Sequence, residues 1–191
     1  MAQTATRLMK TASRTLFGRY LFVTNTVSAG VFMGVGDVIT QKFERYRSRH
    51  KINQTNAKHD WTRTRNMFVM GLALGPIGHF WYKFLDGYLP AKGLKTVAKK
   101  VALDQCVAGP FLYVLFFSGA GALEGQSFRE ITQEIREKFL TIFLLDLTVW
   151  PPAQFINFTF VPPQFRVIYV TGITLVWDTV LSFVKYNDRL V

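Results

Sequence analysis

The sequence predicts an all-α protein: a multi-span membrane helix bundle of four to five kinked helices with an amphipathic N-terminal segment. Three observations lead there. Of 191 residues, 49% are hydrophobic and 15% aromatic, but only 18% are charged, against about 25% in an ordinary soluble domain. The charges cluster between apolar runs of about twenty residues, the length that crosses the hydrocarbon core of a bilayer. Finally, the stretch WPPAQFINFTFVPPQFRV, Trp150 to Val167, sets four prolines, side-chain amides and an arginine inside an apolar region. Such groups are costly in lipid unless neighbouring helices satisfy them.

The formal net charge of +11 fits three partners: nucleic acid, an anionic membrane surface, or the mitochondrial import machinery. In a membrane protein, basic flanks hold helix ends against anionic headgroups. The single cysteine, Cys106, excludes a disulfide framework within the chain and a cysteine zinc site. It lies in an apolar run and is expected as a small buried apolar residue.

Residues 1–19 form the first segment. Arg7, Lys10, Arg14 and Arg19 stand among Ser, Thr and Ala without an acid, a composition that suits mitochondrial targeting. Leu8, Ala12, Thr15 and Leu16 share a helical face, so an amphipathic surface helix is expected. The membrane bundle takes residues 20–186, and 187–191 are a short tail. The first apolar run is Tyr20 to Thr40. Ser28, Ala29, Gly30 and Gly34 give it a small-residue face for close helix approach. Asp37 and Gln41 share a face near its end, where they bond a neighbouring helix or sit at headgroup level.

Residues 42–66 read as a polar connection with eight basic residues, Lys42, Arg45, Arg47, Arg49, Lys51, Lys58, Arg63 and Arg65, against Glu44 and Asp60. Asp60 or Thr62 is the expected cap of the next helix. This loop is a solvated basic flank on the matrix side, or the contact for ribosomal RNA or another polyanion. The second run, Met67 to Leu89, holds the pair Gly71 and Gly75, then Pro76, which removes a backbone bond and kinks a helix. His79, Lys83 and Asp86 share one face, and Lys83 and Asp86 are spaced to pair. Trp81, Tyr82 and Tyr88 suit an interfacial aromatic belt.

A basic linker, residues 90–100, leads to the third run, Val101 to Leu123. Asp104 and Gln105 open it and Gly109-Pro110 interrupts it. An acid inside a span marks a functional-site candidate, or here an ion pair with Lys100 or Lys83. Ser127 and Glu130 form a capping-box pattern, followed by an apolar stripe through Phe128, Ile131, Ile135, Phe139, Ile142 and Leu145. Glu130, Glu134, Glu137 and Lys138 populate the other face, so this helix starts in water and enters the membrane. If it runs on through Pro151-Pro152, Asp146, Trp150, Gln154 (or Ala153) and Asn157 line one inward face. Val161-Pro162-Pro163 ends it. The last run, Val167 to Val184, follows Arg166 and contains Trp177, Asp178 and Ser182. Arg166 is expected to pair with an acid of another helix or with a phosphate headgroup.

The candidate intramembrane polar network is therefore Asp37, His79, Lys83, Asp86, Asp104, Gln105, Asp146, Trp150, Gln154, Asn157, Arg166 and Asp178. Interhelical hydrogen bonds of this kind contribute on average about 0.6 kcal/mol each. No cofactor or metal is expected, because no second histidine or cysteine stands at ligand spacing from His79, His50 or His59. An intramembrane enzyme is disfavoured. Hydrolysis needs a nucleophile with a base, two positioned acids or a metal, whereas Ser182 has no histidine near it in sequence and the aspartates fall on different helices.

Several motifs resemble one family. Trp150-Pro151, Gln154, Asn157-Phe158, Val161-Pro162 and Arg166 match its pattern, as do Gly75-Pro76, His79, Trp81-Tyr82, Asp86, Asp104-Gln105, Pro110, Trp177 and Ser182. By this resemblance, which covers residues 20–186, the chain is identified as a member of the family named for the MPV-17 protein and the 22 kDa peroxisomal membrane protein. The wording of Leu21 to Thr26, Leu123 to Gln126, Arg136 to Phe139 and VPPQFRV is nearest to one branch. That branch implies a multi-pass protein of the mitochondrial inner membrane that supports assembly and stability of the mitochondrial ribosome, and so mitochondrial translation. The implied partners are the lipid bilayer and the large ribosomal subunit, with a second copy of the chain as a further candidate; no DNA is expected. Other branches imply a peroxisomal membrane, or a channel for small solutes in which the polar network lines a path between helices.

Overall fold

A computed structural model describes residues 15–49, 58–90, 93–161 and 166–185. Among them every regular element is helical. A π-helical turn, Thr15–Arg19, leads into α1, Leu21–Arg49. Then come α2, Trp61–Tyr88, and α3, Leu94–Leu103. A second π-helical turn, Asp104–Ala108, joins α3 to α4, Gly109–Leu123. The chain continues with α5, Phe128–Phe160, and α6, Arg166–Lys185. With α3 and α4 taken as one broken helix, these are five helices. The expected N-terminal amphipathic helix falls mostly on residues 1–14, outside the described residues, as does the tail.

Among the described residues, three helices are long and apolar enough to cross a membrane: Leu21–Tyr46, Leu94–Leu123 and Phe128–Phe160. The second apolar run forms α2, which is of span length but is not among these three. Two expected boundaries move. Residues 41–49 contain neither Gly nor Pro, so nothing stops α1 at the end of its apolar run. It extends to Arg49, and most of the expected basic loop is helix. Likewise α3 begins at Leu94, inside the expected linker.

Local chemistry explains the other ends. Asp60 caps α2 by accepting the Arg63 backbone N–H at 3.0 Å. Ser127 and Glu130 form the reciprocal capping box of α5. Gly125, with φ of 76°, takes the left-handed conformation between α4 and α5. The π-helical turn precedes Pro110, which has no N–H and whose ring would strike the carbonyl four residues back. There the Gly109 N–H reaches the Asp104 carbonyl, five residues back. α5 runs through Pro151 and Pro152 as one helix.

α1 is the hub, packing against α2 along its length and against α6. The small-residue faces meet here. A Cβ on Gly71 would collide with the Ala29 carbonyl, and one on Gly75 would stand 2.8 Å from Thr26 Cα. Thr40 Oγ1 donates to the Thr179 carbonyl of α6 at 3.0 Å. Met33, Met67, Met70, Tyr113, Phe116, Phe117, Ile142 and Trp177 form the buried core. Val23, Val27, Val31, Val35, Ile39 and Phe43, each four residues from the next, are exposed in a continuous stripe along α1. A stripe of that kind faces lipid. Cys106 is exposed rather than buried: the π-helical turn directs Asp104 and Gln105 inward and leaves Cys106 and Val107 outside.

Candidate functional site: separate buried polar clusters

The expected network does not form one chain of contacts; it divides. The first cluster joins α1 to the start of α2. Asp37 is fully buried. Its Oδ1 lies 2.7 Å from Arg63 Nε, and its Oδ2 accepts from Thr64 Oγ1 at 2.6 Å and from Gln41 Nε2 at 2.7 Å. Arg63 reaches Glu44 with Nη1 at 2.9 Å. Gln41 also exchanges two hydrogen bonds with the Asp60 backbone, at 2.8 and 2.9 Å. Asp37 and Gln41 therefore bond a neighbouring helix rather than stand at headgroup level. Arg63, grouped by sequence with the outward basic residues, is withdrawn, its side chain only 11% exposed.

The second cluster lies where the π-helical turn meets α2 and α5. Trp81 Nε1 donates to Asp104 Oδ1 at 2.8 Å. Gln154 Nε2 donates to the Tyr82 hydroxyl at 2.5 Å and, more weakly, to Asp104 Oδ2 at 3.5 Å. Asn157 Nδ2 donates to Gln154 Oε1 at 3.2 Å. The Gln105 side chain reaches the Asp146 carboxylate. Gln154 and Asn157 are buried, at 1% and 3% exposed. Trp81 and Tyr82, which suit an interfacial belt by sequence, here serve as hydrogen-bond partners. Asp104 pairs with neither Lys100 nor Lys83, because Lys100 is taken by Asp86 and packs over the Phe158 ring.

The remaining candidates stand apart. His79 Nδ1 accepts from Asn25 Nδ2 at 3.1 Å and its ring meets Phe22 edge-on. Lys83 is exposed, and Asp86 pairs in its place with Lys100 of α3, a helix that packs against α5. Trp150 belongs to the apolar core, with its ring edge-on to Trp177. Lys138 is buried, not on a solvated face, and pairs with Glu134 at 2.9 Å. Arg166 and Asp178 lie on α6, but their side chains are outside the description. Of the basic group, Lys42, Lys58 and Arg65 are exposed and Arg45 is half-buried. The Arg47 and Arg49 side chains and all of Lys51 lie outside the described residues.

Sequence reasoning missed Thr64, Glu44, Asn25 and Tyr82 as partners. For Thr64 a signal exists: it stands one turn after the Asp60 cap, opposite Asp37 and Gln41. No group of three His, Cys, Asp or Glu side chains placed to share a metal ion occurs among the described residues.

The comparisons with known proteins bear on identity. The model of the Mpv17 / PMP22 family matches residues 121–182. PXMP2/4 family protein 4 of Dictyostelium discoideum is 33% identical over 86% of each chain. The mitochondrial inner membrane protein Mpv17 of Xenopus laevis is 31% identical over 90% of this chain and 94% of its own. Protein SYM1 of Saccharomyces cerevisiae is 30% identical over 84% and 81%. No solved structure matches. With the candidate spans, these relatives place the chain in the mitochondrial inner membrane as a multi-pass protein; a bovine relative, 27% identical, is named for the peroxisomal membrane. The chain belongs to the Mpv17 / PMP22 family of membrane proteins.

Proposed function

We propose that this inner-membrane protein is not an enzyme and supports assembly and stability of the mitochondrial ribosome, and so mitochondrial translation, through the basic end of the α1–α2 hairpin. The supporting observation is how the acids there are used. Asp37 and Glu44 are bound to Arg63, and Asp60 is spent on capping. Lys42, Lys58 and Arg65 are left exposed as a cationic surface suited to a polyanion such as ribosomal RNA. Depletion is expected to shift the sedimentation of the large ribosomal subunit, wild type to restore it, and a Lys42→Glu, Lys58→Glu, Arg65→Glu variant not to. Unchanged subunit profiles on depletion would refute the role; full rescue by the variant would refute this surface.

A solute channel finds weaker support. Gln154 and Asn157 face inward from α5 and Asp104 from the π-helical turn, but the polar side chains bond one another in separate clusters instead of lining one path. Absence of conductance from the pure protein in a planar bilayer would remove that reading.

A further inference from the structure

We propose that the apolar groove between the C-terminal half of α2 and the start of α4 holds an acyl chain of an anionic phospholipid from the surrounding bilayer, with the lipid phosphate on Lys95 and Lys99.

The groove follows from how the helices meet. α2 and the broken α3–α4 helix touch in opposite order: Asn66 with Leu123, Met70 with Gly119, Trp81 with Asp104 and Asp86 with Lys100. Beside the Trp81 contact a cavity of about 350 Å³ opens between Phe80, Trp81 and Phe84 on one side and Ala108, Phe111 and Leu112 on the other. That volume is in the range of small-ligand sites. Phe80, Phe84 and Phe111 are exposed, so the groove opens toward lipid. The one polar atom of its walls, Trp81 Nε1, is turned away to Asp104. A guest finds no hydrogen bond there, which selects hydrocarbon over a polar solute.

The cations stand on the same face. Lys95, Lys99, Leu103, Val107 and Phe111 follow at four-residue steps, and all but Leu103 are exposed. This face therefore carries two ammonium groups at one end and the rim of the groove at the other. The lysines lie in the first turns of the span Leu94–Leu123, at headgroup level. Ala108, in the groove, is nine residues beyond Lys99, about 13 Å at 1.5 Å per residue. That depth falls within one leaflet, half of a hydrocarbon core about 30 Å thick. A chain hanging from a phosphate at Lys99 passes through the groove. Phe84 also stacks on Tyr88, with centroids 5.7 Å apart, which carries the ring wall up to the exposed end of α2.

Charge decides the headgroup. Lys100 is committed to Asp86, but among the described residues no acid pairs with Lys95 or Lys99. Two free ammonium groups one turn apart at the interface attract an anionic headgroup. A zwitterionic headgroup brings its own cation and gains less.

The test uses the full chain stripped of lipid in a neutral detergent at constant ionic strength. Phosphatidylglycerol is expected to raise Tm saturably by several degrees, as binding to the folded state requires, at a tenth or less of the concentration needed with phosphatidylcholine of the same chains. Native mass spectrometry should count one retained phosphatidylglycerol per chain. Lys95→Gln, Lys99→Gln should keep the lipid-free Tm and lose the preference. Lys42→Gln, Lys58→Gln, which removes the same charge at the other end of α2, should retain it. Phe111→Ala, which takes away an exposed wall and leaves both lysines, should weaken retention several-fold. Glycerol 3-phosphate, a phosphate without chains, should give no shift. Equal responses to the two lipids, a preference kept in the Lys95, Lys99 variant, undiminished retention in Phe111→Ala, or a shift with glycerol 3-phosphate each overturns the proposal. So do dimers in place of bound lipid, which would seat a second copy in the groove.

Discussion

Asp37 and Asp146 both lie on long apolar helices, yet the fold treats them differently. Asp37, at 0% exposed, receives a guanidinium, a hydroxyl and an amide. Its countercharge is carried by the next helix in sequence, and the pair locks the α1–α2 hairpin. Asp146 receives one neutral amide and keeps an oxygen unpartnered. The first site is complete within the chain and is a structural fastening. The second is left incomplete among the described residues. A buried ion pair is a poor guide to net stability, but breaking one partner leaves an uncompensated charge at heavy cost.

That contrast orders the expected effects, all read by chemical and thermal unfolding in detergent. Arg63→Ala strands Asp37 and Glu44 together and should destabilise by about 3–5 kcal/mol; the Asp37→Asn, Arg63→Gln double variant should recover much of the loss, and additive losses would show that the two do not act as a pair. Gly71→Ala forces a methyl group against the Ala29 carbonyl and should cost about 3 kcal/mol; an unchanged midpoint would mean that the hairpin does not rest on this close approach. Gln154→Leu removes the amide shared by Tyr82, Asp104 and Asn157 and should cost about 2 kcal/mol, with the loss reduced when Tyr82→Phe is combined with it. Ser127→Ala, in the α5 cap far from either cluster, should cost about 1 kcal/mol and add independently to each of the others.

Much of the bundle was legible in the sequence because its signals are local. Apolar run lengths, the Gly71 and Gly75 pair, the Ser127–Glu130 box and the Asp60 cap each act within a few residues. The inward face of α5 at Gln154 and Asn157 followed from spacing alone. Partner choice was not legible. Asp86 had Lys83 three residues away, yet Lys100 is delivered beside it by the fold. Trp150 sits on a polar face by count, but its large ring finds Trp177. Cys106 lies in an apolar run, but the π-helical turn shifts the register by which inside and outside are counted. The division of the polar groups into clusters likewise depends on which helices touch.

The most direct measurement compares Asp37→Asn with Asp146→Asn in the same detergent, at pH 7.5 with chelator present. The expected result is opposite signs: Asp37→Asn lowers Tm because it removes a matched charge, whereas Asp146→Asn holds or raises it because it removes an unmatched one. A fall in Tm for both variants would contradict the distinction between a site closed by the chain and a site left open.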